Sequence, residues 1–284
     1  MQVITTKQEL TRQVEACIRQ QKTIGFVPTM GALHQGHAAL VQRAVAENDV
    51  AIVSVFVNPT QFNNPEDLQK YPRTLDQDVE LLTQLGVHFV FAPTAEEMYS
   101  SQELNTSFSF DFNGLDQVME GKMRPEHFNG VVQVVSRLFD LVRPTRAYFG
   151  EKDFQQLAII RHMVTTSSLA QQYTNLQIIG CPIVREDSGL ALSSRNQRLS
   201  ETDKQTAIAI SQTLFNSLKW AETETVANVQ QRVIDTINAI NGLEVEYYEI
   251  VDRTTLQPTD TFQNAIGCIT VYCGPVRLID NIQY

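Results

Sequence analysis

The sequence predicts an α/β protein: a doubly wound parallel sheet in its N-terminal part, with a smaller α+β domain behind it. Three observations carry this. Apart from Gly25, residues 24–27 are branched or aromatic, and residues 50–57 (VAIVSVFV) form a nearly unbroken apolar run, as strands buried on both faces require. Between them Leu40, Val41, Ala44 and Val45 repeat with a helical period, and strand–helix–strand in that order is the unit of a parallel sheet. From about Pro182 this alternation stops.

Taken in order, Thr5 or Thr6 can cap a first helix carrying Leu10, Val14 and Ile18 on one face. The strand at 24–27 follows, and Pro28 is expected to stop it by removing a backbone donor. A helix to about Ala46, the strand at 50–57, a helix over 74–85 and a strand over 88–92 extend the pattern. After Pro93 the text is polar and irregular through Met123, with SFSFDF (107–112) as a candidate edge hairpin. A helix over 126–141 should turn Val131, Val134, Val135, Leu138 and Leu141 inward. A short strand over 147–150, a helix over 154–168 and a strand over 176–181 complete a first domain, residues 1–181. The second, residues 182–284, reads as helices over 202–222 and 225–241, then strands near 245–251, 265–272 and 276–279.

With 284 residues, 43% of them apolar, the chain can bury a sizeable core. Its net charge of −10 opposes nonspecific binding to nucleic acid or an anionic membrane, so any anion site must concentrate its few cations locally. No apolar run approaches the ~20 residues that cross a bilayer, and MQVITTKQELTRQ lacks the apolar core of a signal peptide, so a cytoplasmic protein is expected. Cys17, Cys181, Cys268 and Cys273 show no CxxC spacing and sit in apolar or mixed surroundings, as buried thiols do.

The chemistry centres on residues 24–40, IGFVPTMGALHQGHAAL, where a strand runs through a Gly-containing turn into a helix. Gly31 and Gly36 let backbone approach a ligand closely. His34 and His37, three apart, would share one face at a helix N-terminus, where unpaired N–H groups and the dipole favour phosphate. Two imidazoles there can donate to phosphate oxygens, including the charge that builds as a phosphoanhydride breaks. A lone histidine would read as a cap; the pair after a glycine turn reads as function. No Gly-Lys-Ser/Thr follows, and the three-glycine dinucleotide fingerprint is absent.

FVNPTQF (56–62) ends a strand and releases Gln61 at the carboxyl edge of the sheet, its amide suited to a small hydroxy acid. YFGEKDFQQ (148–156) sets Lys152 between the strand-ending Gly150 and a helix, within reach of phosphate at the same edge. Asp153 there caps the helix, or holds a ribose or Lys152. LSSRNQRLS (192–200) joins two hydroxyls to Arg195 ahead of a helix, as either a polar capping turn or a lid over triphosphate. In EGKMRPEHFNGV (120–131), with Arg124, His127 and Gly130, surface-loop and functional readings weigh evenly.

PTMGALHQGH resembles the HxGH signature of the nucleotidyltransferase superfamily, which includes the class I aminoacyl-tRNA synthetases, and within it the pantoate–β-alanine ligase family. FVNPTQF, YPRT, GEKDFQQ and SSRN match that family too, so the resemblance is dense over residues 26–200 and thin beyond. It implies a Rossmann-like first domain and a smaller second domain of the lid or dimerisation type. It implies ATP binding by Met30, Gly31, Ala32, Leu33, His34, Gln35, Gly36 and His37, by Gly150, Glu151, Lys152 and Asp153, and by Val184, Leu192, Ser193, Ser194 and Arg195. Gln61, Gln156, Asn58 and Arg124 become candidates for pantoate and β-alanine, and His37, His34, Lys152 and Arg195 for catalysis. Leu192 stands where the family has Met, which leaves an apolar wall near adenine; Tyr71, Arg73 and His127 receive no role.

The implied reaction is ATP-dependent condensation of pantoate with β-alanine, through pantoyl-adenylate, to pantothenate, AMP and pyrophosphate. Mg²⁺ would bridge phosphate oxygens, and the enzyme would be a homodimer. A nucleotide or phosphopantetheine adenylyltransferase needs extra cations for a second phosphate, where FVNPTQF supplies amides. A synthetase acting on tRNA needs a basic surface or an appended domain, which this acidic chain lacks. A nucleotide-binding regulatory module would form no product.

Overall fold

The computed structural model describes residues 1–104, 108–166 and 170–284. In chain order the elements are β1 (Gln2–Ile4), α1 (Lys7–Arg19), β2 (Ile24–Thr29), α2 (Gln35–Glu47), β3 (Val50–Val55), α3 (Pro65–Lys70), α4 (Leu75–Gln84), β4 (Phe89–Phe91), α5 (Ala95–Met98), α6 (Ser101–Leu104), α7 (Met119–Met123) and α8 (His127–Val142). Then follow β5 (Arg146–Gly150), α9 (Phe154–Thr166), β6 (Gln177–Cys181), α10 (Glu201–Trp220), α11 (Val226–Asn238), β7 (Leu243–Asp252), β8 (Ala265–Cys273) and β9 (Val276–Gln283). Short 3₁₀ turns cover Pro59–Gln61, Glu151–Asp153 and Ser194–Arg198. The chain forms two compact units. One comprises Met1–Asn113, Arg124–Gly150 and Ile159–Cys181; the other comprises Gly114–Met123, Glu151–Ala158 and Pro182–Tyr284.

The first unit holds a parallel sheet in the order β1-β4-β3-β2-β5-β6. The chain lays β3 and β4 on one side of β2 and later β5 and β6 on the other, so the order reverses between β2 and β5. Open α/β sheets bind ligands at the carboxyl ends of the strands beside such a reversal. β2 stays paired with β3 as far as Thr29 and Val55, but its pairs with β5 are Gly25 with Arg146 and Phe26 with Ala147, upstream of the strand's end. Helices cover both faces. Val27, Val53 and Val90 cluster with Leu40, Val41 and Ala44 of α2 and Leu82 of α4, while Phe26 and Phe149 meet Phe139 of α8 edge-on at 6.3 and 6.4 Å. Successive strand residues therefore serve opposite apolar layers, the reason these strands are apolar throughout. At Gly25 a Cβ would stand 2.4 Å from Asn48 Nδ2, so a side chain there would displace the Asn48 amide from the Ala44 carbonyl and the Tyr148 hydroxyl.

Several expectations need correction. Pro28 lies inside β2 instead of ending it. Thr23 and Thr29 accept from Val50 and Phe56 on the β3 side, so by alternation Pro28 faces β5, beyond their last pair, and its missing N–H breaks no ladder bond. Cys17 is buried and Ile18 is 42% exposed, because Leu10, Val14 and Cys17 follow the helical period more closely. Likewise Val142 is buried and Leu141 only half-buried. MQVI supplies the edge strand β1, paired with β4, and short helices α5, α6 and α7 lie in the stretch expected to be irregular. Residues 108–112 form no strand, and Ser107 lies outside the described residues, as do Ser167 and Ser168 of the expected helix. The four cysteines are buried thiols and none of them is in a disulfide. No helix among the described residues is long and apolar enough to cross a membrane.

In the second unit β7, β8 and β9 form an antiparallel sheet whose Ile250, Ile269, Val271 and Leu278 share a core with Ile210 and Leu214 of α10 and Val229, Val233 and Ile237 of α11. Polar groups tie the earlier segments into this unit. Glu120 of α7 takes a two-pronged pair from Arg277 at 2.7 and 2.8 Å and the hydroxyls of Tyr247 and Thr270. Gln155 donates to the carbonyls of Leu115 and Val118 at 2.7 and 2.8 Å.

Candidate active site

In the first unit, the chain leaves β2 beside the reversal of strand order and turns through two left-handed residues, Gly31 (φ 83°) and Ala32 (φ 51°). Asp78 of α4, 2% exposed, holds this turn: its carboxylate accepts the N–H of Ala32 at 3.0 Å and of Leu33 at 2.8 Å, and the Thr74 hydroxyl. His34 then caps α2 in extended conformation, φ −134°, with Nδ1 accepting the Gly36 N–H at 3.1 Å. His37 returns the bond, its Nδ1 accepting the His34 N–H at 3.3 Å. The rings meet through this reciprocal capping, centroids 4.1 Å apart, and not through a shared helical turn. A backbone amide only donates, so each Nδ1 is an acceptor and each ring carries its proton on Nε2. The outcome is a pair of Nε2–H donors at a helix N-terminus.

Gln61 closes the 3₁₀ turn behind β3. Asn58, 1% exposed, donates to Gln61 Oε1 at 3.3 Å, Thr60 Oγ1 at 3.0 Å and the Gly130 carbonyl at 3.2 Å, and accepts the Tyr99 hydroxyl at 2.8 Å. Its amide is thus engaged with protein groups on every side. His127 Nδ1–H donates to the main-chain oxygen of Gln61 at 2.7 Å, which gives a function to a residue the sequence left open. At Gly130 a Cβ would come within 2.4 Å of the Thr60 oxygen, so only glycine lets α8 approach the turn this closely. Gln61 Nε2 reaches Met30 Sδ at 3.2 Å, bringing the loops after β2 and β3 together. Tyr71 is buried edge-on against Phe62 at 5.7 Å, and half-buried Arg124 accepts the His127 N–H through its carbonyl at 3.1 Å.

In the second unit Lys152 occupies the 3₁₀ turn Glu151–Asp153, its side chain 16% exposed and its Nζ 3.9 Å from Asp153 Oδ2. Of the expectations for Asp153, pairing with Lys152 is therefore present. Gln156 is half-buried and Gln155 beside it buried. The Leu192 N–H donates to the Val184 carbonyl at 3.0 Å, and Arg185 bridges to Ala191, so Val184 and Leu192 sit side by side. Ser193 caps the following turn by accepting the Arg195 N–H at 3.2 Å, and Asn196 holds the Ala191 carbonyl at 3.0 Å.

Three supporting residues escaped the sequence reading. Asp78 stands four residues before the fully buried Leu82, and an acid on the inward face of a helix was its signal. Asp280 and Asn281, two adjacent polar residues inside an apolar strand, were the other.

The sequence family described as Pantoate-beta-alanine ligase matches residues 2–283. The pantothenate synthetase of Phocaeicola vulgatus is 58% identical over 287 aligned residues, covering 100% of this chain and 99% of its own. That of Porphyromonas gingivalis is 50% identical with the same coverage. Among solved structures, a pantothenate synthetase from Thermus thermophilus has a TM-score of 0.91 at 40% identity, covering 100% of this chain and 99% of that one. A pantoate-beta-alanine ligase from Francisella tularensis, complexed with beta-gamma ATP and beta-alanine, has a TM-score of 0.83 at 36% identity, covering 100% and 97%.

Proposed function

The chain belongs to the pantoate-beta-alanine ligase family, an enzyme that condenses pantoate with β-alanine to give pantothenate; from that premise we propose that ATP first activates pantoate as pantoyl-adenylate. A carboxylate oxygen of pantoate attacks the α-phosphorus and pyrophosphate leaves; the amine of β-alanine then attacks the acyl carbon, AMP leaves with the bonding electrons, and the amine loses a proton. The Francisella relative, complexed with beta-gamma ATP and beta-alanine, supports this choice of substrates.

The observation that carries the reading is the His34–His37 pair, whose Nε2–H groups point away from the caps that hold them. They donate to phosphate oxygens most strongly as negative charge moves onto the leaving pyrophosphate. Lys152 and Arg195 neutralise the same charge, and Arg195 does so with a planar fork. Residues 30–37 and 150–153 line the nucleotide, Val184 and Leu192 face adenine, and Ser193 and Ser194 supply hydroxyls to phosphate. Gln61 and Gln156 orient pantoate, with Arg124 nearby, and Asn58 and His127 act through Gln61. Mg²⁺ would accompany the phosphates and offset part of their charge. The same reading takes residues 1–181 as the nucleotide- and pantoate-binding domain and 182–284 as the lid and dimerisation domain of a cytoplasmic homodimer.

Adenylate formation without any protein nucleophile needs only ATP, Mg²⁺ and pantoate. Labelled pyrophosphate should therefore exchange into ATP with β-alanine omitted, and Arg195→Ala should slow that exchange, since a group that grips the leaving pyrophosphate assists both directions. Exchange that needs β-alanine, or that proceeds without pantoate, overturns the mechanism.

A further inference from the structure

We propose that Asp280 and Asn281 of β9 are positioning residues for the nucleotide step, a role that rests on the assignments of Lys152 and Val184 above. A strand normally turns one of two neighbours outward. Here Asp280 and Asn281 are both buried, 5% and 4% exposed, and both are polar. Burial of two such groups is tolerated only when their partners are made, and each of them is matched.

Asn281 Nδ2 gives its two hydrogens to the carbonyls of Glu151 at 2.8 Å and Lys152 at 3.0 Å. Those carbonyls lie on either side of the Lys152 Cα, so the peptide planes before and after it are both pinned and the direction of its side chain is set. Asp280 takes Arg185 in a two-pronged pair at 2.6 and 2.9 Å, and its Oδ1 also accepts the Asn281 N–H at 2.8 Å. Arg185 directly follows Val184 and donates on to the Gly189 carbonyl at 3.2 Å, inside the loop that returns to Leu192. One step of one strand thus sets the turn of the cation and the loop of the adenine wall relative to each other. A rigid mount of this kind removes motions that would otherwise be lost on reaching the transition state.

The test is Asn281→Ala, which leaves both carbonyls without a donor. In pantoate-dependent pyrophosphate exchange, kcat/KM for ATP should fall about tenfold or more while the KM for pantoate changes less than about twofold. A double-mutant cycle with Lys152→Ala, read as ATP affinity by calorimetry so that no turnover is needed, should show that Asn281→Ala adds less than about twofold once the lysine is gone. Asn281→Ser, whose hydroxyl can serve one carbonyl, should lie between wild type and alanine, and it takes the place of the alanine variant in the cycle if that variant does not fold. Independent, additive effects in the cycle, equal changes for both substrates, or an unaltered kcat/KM for ATP overturn the proposal. Lys152→Ala alone, if it binds and exchanges ATP like wild type, overturns the lysine assignment itself, and that result is read separately from the cycle.

Discussion

The carboxylate of Asp78 accepts the main-chain N–H of Leu33 at 2.8 Å, so α4 holds the turn that delivers His34. The same carboxylate takes the N–H of Ala32, a residue in the left-handed region where a non-glycine backbone is strained. Replacing Asp78 with Asn turns an N–H donor toward one of these amides, at a cost of about 1–3 kcal/mol for the group left unpaired. Asp78→Asn should lower the thermal midpoint and slow pyrophosphate exchange at least about tenfold. A variant with wild-type melting and exchange would show that other contacts hold the turn.

His37 and Gln61 should fail in different ways. His37→Ala removes a donor needed most as charge develops, so single-turnover adenylation should fall ~10²–10³-fold with ATP binding nearly retained. Loss of its cap on His34 should add about 1 kcal/mol of destabilisation. Gln61→Ala should instead raise the pantoate KM, because substrate hydroxyls lose their partner in the pocket. Rapid-quench measurements of adenylate on both variants check this, and an unchanged adenylation rate in His37→Ala would remove that histidine from the chemistry.

Alkaline stability should report the support behind Gln61. Burial pushes the Tyr99 phenol up to about 12, and its hydroxyl donates to Asn58. Burial and the neighbouring Glu47 likewise push Tyr148 up to about 12. The folded state favours the neutral phenol, so this stability is complete below an unfolded value of about 10 and is lost as pH rises from there to about 12. Tyr99→Phe should melt at a lower temperature than wild type at pH 8 and lose less of its midpoint between pH 10 and 12. Equal losses in the two proteins over that interval would show that Tyr99 does not titrate late.

The sequence by itself determined the local units. A strand buried on both faces must be apolar throughout, and a helix must repeat every 3.6 residues, so β2, α2, β3, α4 and α8 were legible close to their true ends. The glycine turn with two histidines, the amide turn at Gln61 and the Lys152 turn were legible for the same reason: each is a short run at a strand end. Only the tertiary structure decided what holds those runs in place. Leu33 meets Asp78 across 45 positions, Asn58 meets Gly130 across 72, and Asn281 meets Glu151 across 130. No periodicity encodes such pairs, because they form when strands assemble side by side and bring distant polar groups into a shared interior, where each must find a partner.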